Sequence, residues 1–163
     1  MNVATESNST TVETRGVKEL GHIVLYVANI EKSAHFYREV LGWKQISPIE
    51  AGIPIAAFSG GRTHHELLLI EVGNDATPIP QGRRIGMYHF GLKVGDSDDE
   101  LRAMIARLNE AKAVIVGSAD HHVTHSIYLL DPDGNEIELY IDVPGVDWRN
   151  PDNMMKPARA LKL

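Results

Sequence analysis

Half-way along this sequence the pattern of elements starts over. Residues 20–27 alternate as a strand, with Ile23, Leu25 and Val27 on one face and His22, Val24 and Tyr26 on the other. Asn29 is placed to cap a helix whose Ile30, Ala34, Tyr37 and Leu41 share one stripe, and Gly42 ends it. Short strands are expected at 43–46, 53–58 and, beyond the Gly60-Gly61 turn, 65–72. A Pro/Gly-rich link over 73–86 leads to residue 88, where the order resumes. Phe90, Leu92 and Val94 alternate with His89, Gly91 and Lys93. Ser97 and Glu100 form a capping box before a helix with Leu101, Met104, Ile105 and Leu108 as its buried stripe. A strand at 113–116 precedes a hairpin, 124–130 and 136–141, turned by Asp131-Pro132-Asp133-Gly134. The order is βαβββ twice, an α+β chain in which neither copy buries a sheet on its own.

The length of 163 residues suits one domain. We place it at 16–142, with modules at about 20–72 and 88–142, a polar N-terminal tail over 1–15 expected to be disordered, and a C-terminal tail over 143–163 that Trp148 could pin to the body or to a second subunit. Net charge is −6 with no Lys/Arg cluster, which argues against nucleic acid. No apolar run is long enough to span a membrane, and no export signal opens the chain, so a cytoplasmic location is expected. Cysteine is absent, which removes disulfides and thiolate metal sites. The eight histidines are clustered.

Related modules pair with equivalent elements facing each other. His22 and His89 open the first strands of the two copies, each on the face opposite the aliphatic residues. Glu138 lies in the last strand on the face opposite Ile137, Leu139 and Ile141. If the aliphatic faces pack on the helices, His22, His89 and Glu138 line a shared cavity. Two imidazoles and a carboxylate suit a divalent first-row metal, and with the opposite side left open they match the facial triad of non-haem Fe(II) oxygenases.

Gly21-His22-Ile23, Tyr88-His89-Phe90-Gly91-Leu92 and the run from Asp131 through Gly134-Asn135-Glu136-Ile137-Glu138 to Tyr140 resemble the vicinal oxygen chelate superfamily, over about residues 20–142. This group includes glyoxalase I, fosfomycin- and bleomycin-resistance proteins, methylmalonyl-CoA epimerase and extradiol dioxygenases. The resemblance implies two modules building one open, cup-shaped mixed sheet around a metal site, with helices outside. Asp120-His121-His122-Val123-Thr124 with Tyr128, His64-His65-Glu66, and Tyr140 to Pro144 followed by Trp148 resemble the small catechol dioxygenases. By that likeness His121 hydrogen-bonds near the metal, Tyr128 contacts a bound diol, and His65 handles protons. The partners implied are an aromatic diol and O₂. The cofactor is Fe(II), with Mn, Zn or Ni as other divalent choices, and the assembly is a homodimer or a higher homo-oligomer. His122 stands where the family usually has Gly, so either His121 or His122 could take the role. Many extradiol enzymes have four modules, and this chain has two.

Two other readings compete. In a glyoxalase-like isomerase or a thiol transferase, Glu66 is an additional metal ligand. Strand parity separates the cases, because His65 and Glu66 point to opposite faces. A metal-free binding protein of the bleomycin-resistance type needs no triad, and the His22, His89, Glu138 set speaks against it.

Overall fold

The computed structural model describes residues 16–47 and 54–163. The expected disorder over 1–15 and the start of the strand expected at 53 lie outside these residues. The elements are β1 (Ile23–Val27), α1 (Ile30–His35) continuing as a π-helical turn (Phe36–Val40), β2 (Ile55–Phe58) and β3 (Leu67–Glu71). The second copy comprises β4 (His89–Gly95), α2 (Asp98–Glu110), β5 (Val114–Asp120), β6 (Thr124–Leu130) and β7 (Glu136–Asp142), followed by a short α3 (Pro151–Met154).

The chain is α+β with two open mixed sheets, ordered β1–β3–β2 and β4–β7–β6–β5. In each, the first strand of the module runs parallel to the last, Ile23 opposite Leu67 and Phe90 opposite Ile137, and the remaining pairs are antiparallel. The repeat read from the sequence is thus present as one topology used twice. β1 and β4 are each the edge strand of their sheet. The strand expected at 43–46 is reduced to one bridge, Gln45 to Phe58. The strand expected at 113–116 runs instead to Asp120.

The caps formed as read. Asn29 Oδ1 accepts from the Lys32 N–H at 2.9 Å. Ser97 and Glu100 close the second helix, with the Glu100 carboxylate accepting from Ser97 Oγ and from the Asp96 N–H, each at 2.8 Å. Gly42 adopts φ 76°, the left-handed C′ position that favours glycine. The π turn widens the end of the first helix and brings the adjacent Phe36 and Tyr37 both inside.

One core holds both modules. Leu25, Val27, Leu67 and Leu69 from the first sheet and Ile137, Leu139 and Ile141 from the second are buried with Tyr37, Leu101 and Leu108. Burying each such side chain contributes about 1.5–3 kcal/mol. The modules are also tied by polar contacts to the β6–β7 turn. Tyr37 Oη donates to Asp131 Oδ2 at 2.8 Å, Ser33 Oγ donates to Asp133 Oδ2 at 2.7 Å, and the Ala28 N–H donates to Asp133 Oδ1 at 2.8 Å. Asp131 is held further by the backbone N–H groups of Asp133 and Asn135. The Asp-Pro-Asp-Gly turn therefore clamps α1 as well as closing a hairpin.

Candidate metal and diol site

With the aliphatic sides of β4 and β7 in the core, strand alternation turns His89 and Glu138 outward together. His89 Nε2 is 3.3 Å from Glu138 Oε2. Two donors bound to one ion at ~2.0–2.2 Å, at about a right angle, stand roughly 3 Å apart, so this pair fits a shared metal. The other Glu138 oxygen, Oε1, accepts from Tyr128 Oη at 3.1 Å across the β6–β7 ladder. His121, just beyond β5, puts Nε2 2.7 Å from the same phenol oxygen. Burial first, then the Glu138 charge, pushes the Tyr128 phenol well above its ordinary pKa, so it stays a proton donor at neutral pH. These four side chains line a cavity of about 420 Å³ with Trp148 and Lys156.

The two neighbouring histidines are placed differently. His122 has φ 68°, the left-handed region that favours glycine, as expected where relatives carry Gly. That turn sends its ring outward, with Nε2 3.0 Å from the Pro157 carbonyl, while His121 faces Tyr128.

His22 falls just before β1 rather than within it, and its ring is exposed. It sits among the histidines that precede β3, with ring centroids 4.5 Å from His65 and 6.0 Å from His64. His64 Nδ1 and His65 Nδ1 are 2.6 Å apart, so one donates to the other. Among the described residues, no three His, Asp or Glu side chains converge closely enough to hold a metal in this arrangement. His22 instead lines a second cavity of about 570 Å³ at the gap between the β1 and β4 edges, together with Glu66 and Gly91. Gly91 separates the two cavities. A Cβ placed on it would lie 3.6 Å from Glu138 Oε2 and 3.2 Å from the Tyr140 ring.

The strand expected at 65–72 begins at Leu67, so His65 and Glu66 lie in the loop before β3, and their local contacts rather than strand parity distinguish them. The Glu66 carboxylate is occupied by the loop before β3, accepting the N–H groups of Gly60 at 2.9 Å, Arg62 at 3.1 Å and Thr63 at 3.2 Å. Burial works to raise its pKa, and these bonds outweigh that and lower it. Arg62 in turn holds the Leu20 and Gly21 carbonyls at 3.0 Å, which fixes the approach to His22. His65 Nε2 is buried and finds no hydrogen-bond partner among the described residues, and neither does His89 Nδ1. Burial, followed by the charges of His64 and His22, lowers the His65 pKa.

Sequence reasoning offered Trp148 as the residue that could pin the C-terminal tail to the body or to a second subunit, and did not foresee the part played by Arg159. The tail is anchored on the site: Asp120 and Arg159 exchange two backbone hydrogen bonds of 2.9 Å, and Arg159 Nε donates to Asp120 Oδ2 at 2.7 Å. Only tertiary contact reveals this, since the sequence shows a lone Arg 39 residues away. His125 is hydrogen-bonded to Asp98 Oδ1 at 2.6 Å at the start of α2.

Residues 19–139 match the model of the Glyoxalase/Bleomycin resistance protein/Dioxygenase superfamily. The chain belongs to this superfamily. Within it, the chain is 34% identical over 130 residues to the catechol-2,3-dioxygenase of Bacillus subtilis (strain 168), covering 80% of this chain and 44% of that one. It is 29% identical over 125 residues to the metallothiol transferase FosB of Staphylococcus epidermidis, covering 76% of this chain and 84% of that one. The chain thus spans less than half of the Bacillus protein and most of the Staphylococcus one. Among solved structures, a glyoxylase/bleomycin resistance protein/dioxygenase domain from Frankia sp. EAN1pec superposes with TM-score 0.63 at 22% identity, covering 78% of this chain and 99% of that one, a likeness of fold. No described helix of this superfamily member is long and apolar enough to cross a membrane.

Proposed function

We propose that this chain is an extradiol ring-cleaving dioxygenase that opens a catechol-type diol with O₂ and Fe(II), and that His22, His89 and Glu138 hold the metal. The observation that carries the reading is the contrast at the start of β3. Glu66 is bound to the N–H groups of its own loop, whereas His65 keeps a buried, unpartnered Nε2 beside His22. A fourth carboxylate ligand is thereby disfavoured and a proton-handling histidine favoured. In this reading His22, which rests against His64 and His65, must turn toward His89 and Glu138 when the ion binds. The match over residues 19–139 supports treating 16–142 as the catalytic domain. An apolar surface that includes Val24, Tyr26 and Leu20, the last two about 70% exposed, supports a homodimer.

Bound at this site, Fe(II) would acidify the diol and pass electron density between ring and O₂. The protein's part is proton handling and orientation. His65, neutral at pH 7 because its pKa is lowered, accepts a hydroxyl proton at Nε2 and returns it when the O–O bond breaks. Tyr128 and His121 donate hydrogen bonds to the substrate oxygens, and their mutual contact fixes both orientations. Both oxygen atoms enter the product, a ring-opened hydroxymuconic semialdehyde. The test is anaerobic loading with Fe(II), then a panel of catechols with O₂. Yellow ring-opened product supports the reading, and its absence across the panel overturns it.

The extent of the match to the thiol transferase, 84% of that protein's length, favours a second reading: transfer of a thiol to an electrophile at the same ligands. Turnover of a thiol and an electrophile without O₂ distinguishes it.

A further inference from the structure

The tail beyond β7 returns over the His89–Glu138 cavity and brings a cation with it. Trp148 and Met154 line the cavity opposite the strand residues, and Lys156 lines it beside them. The segment is fastened immediately past Lys156: the Pro157 carbonyl lies 3.0 Å from His122 Nε2, and Arg159 is joined to Asp120 by backbone and side chain. Asp120 is buried, and its carboxylate also accepts the His122 N–H at 2.8 Å. The tether therefore bears on the turn that carries His121, so the strap and the diol-contacting residues share one anchor.

The charges in this cavity are unequally matched. Asp142 is compensated by Lys93, whose Nζ lies 2.8 Å from Asp142 Oδ2. Glu138 faces His89 and Tyr128. Lys156, exposed at the cavity rim, donates to the neutral Asn153 Oδ1 at 3.0 Å and forms no ion pair among the described residues. Lys156 lines the same cavity as Met154 and Trp148, whose indole carries the Arg149 guanidinium 4.1 Å from its ring. A cation without a carboxylate in that setting suits a ligand with an apolar body and an anionic end.

We infer that residues 148–159 form a substrate-recognising strap, and that Lys156 selects diols bearing a carboxylate substituent on the ring over neutral ones. The inference rests on the dioxygenase reading for the diol, and on the strap alone for the carboxylate. Trp148 and Met154 cover the ring, Lys156 pairs with the carboxylate, and the two hydroxyls are left pointing at His89, Glu138 and Tyr128.

The experiment compares a catechol carrying a carboxymethyl group with one carrying a methyl group in its place, on the full Fe(II)-loaded chain. Both kcat/KM and calorimetric binding without O₂ are measured. The wild type should prefer the carboxymethyl compound, and Lys156→Met should lower that preference roughly 10–100-fold, the worth of a hydrogen bond to a charged group. The loss should fall on KM and on the binding constant, and Lys156→Arg should recover most of the preference. A wild type with no preference, or a preference that Lys156→Met leaves unmoved, overturns the inference while leaving ring cleavage intact. If neither diol is cleaved, the dioxygenase reading fails. Calorimetry then decides the strap: tighter binding of the carboxymethyl compound that depends on Lys156 upholds it, and equal binding of the two compounds overturns it.

Discussion

The imidazole of His121 stands 2.7 Å from the phenol oxygen of Tyr128. The two residues act on the same substrate atoms in this account, so their effects should not add. His121→Ala and Tyr128→Phe are each expected to lower kcat/KM about 10²–10³-fold, the range seen when a positioned hydrogen-bond donor is lost. The double variant should fall little further than the worse single one. Steady-state rates on one diol check this, and fully multiplicative losses would show that the two residues work separately.

His122 should tolerate only residues at ease with positive φ. His122→Gly is expected to stay within about 1 kcal/mol of the wild type in urea unfolding, whereas His122→Val should cost about 1–3 kcal/mol, the usual strain of a branched side chain at such a φ. Equal stability of the two variants would contradict the geometry.

Asp131 is the hub of the turn that clamps α1. Asp131→Ala leaves the buried Tyr37 hydroxyl unpaired and frees the N–H groups of Asp133 and Asn135. A loss of about 2–4 kcal/mol is expected from urea unfolding, as for a buried network cut at its centre. A loss no larger than that of an exposed substitution would show that the clamp is unimportant.

Stability should also report on His65. Its folded-state pKa lies below the ordinary histidine value, through burial and then the charges of His64 and His22. Between the folded and unfolded pKa values the unfolded chain binds more protons, so stability falls as pH drops from about 6.5 toward the folded value. His65→Phe should flatten that part of the pH–stability curve, and an unchanged slope would place the titration elsewhere.

The repeat was legible because strand and helix periods are local: Ile137, Leu139 and Ile141 announce their buried face without any partner. His89 and Glu138 followed from the same alternation. The position of His22 was harder to read, because a strand's first hydrogen bond depends on its neighbour, and β1 begins one residue later, at Ile23. His121 and His122 could not be separated by residue type, since what distinguishes their placement is one backbone angle. Trp148 hinted that the tail is pinned, but the Asp120–Arg159 pairing could not be read, because it joins residues far apart in sequence and neither carries a local signal.

Iron content per chain after anaerobic Fe(II) loading and desalting tests the proposed centre most directly. The wild type should retain about one iron, and His22→Ala, His89→Ala and Glu138→Ala should each lose most of it, because two remaining ligands hold a divalent ion poorly. His65→Phe should keep the iron while turnover falls ~10²–10⁴-fold, the usual contribution of a positioned acid–base group. Full iron in His22→Ala, or iron lost from Glu66→Ala while His65→Phe remains fully active, would contradict this ligand set and the chemistry built on it.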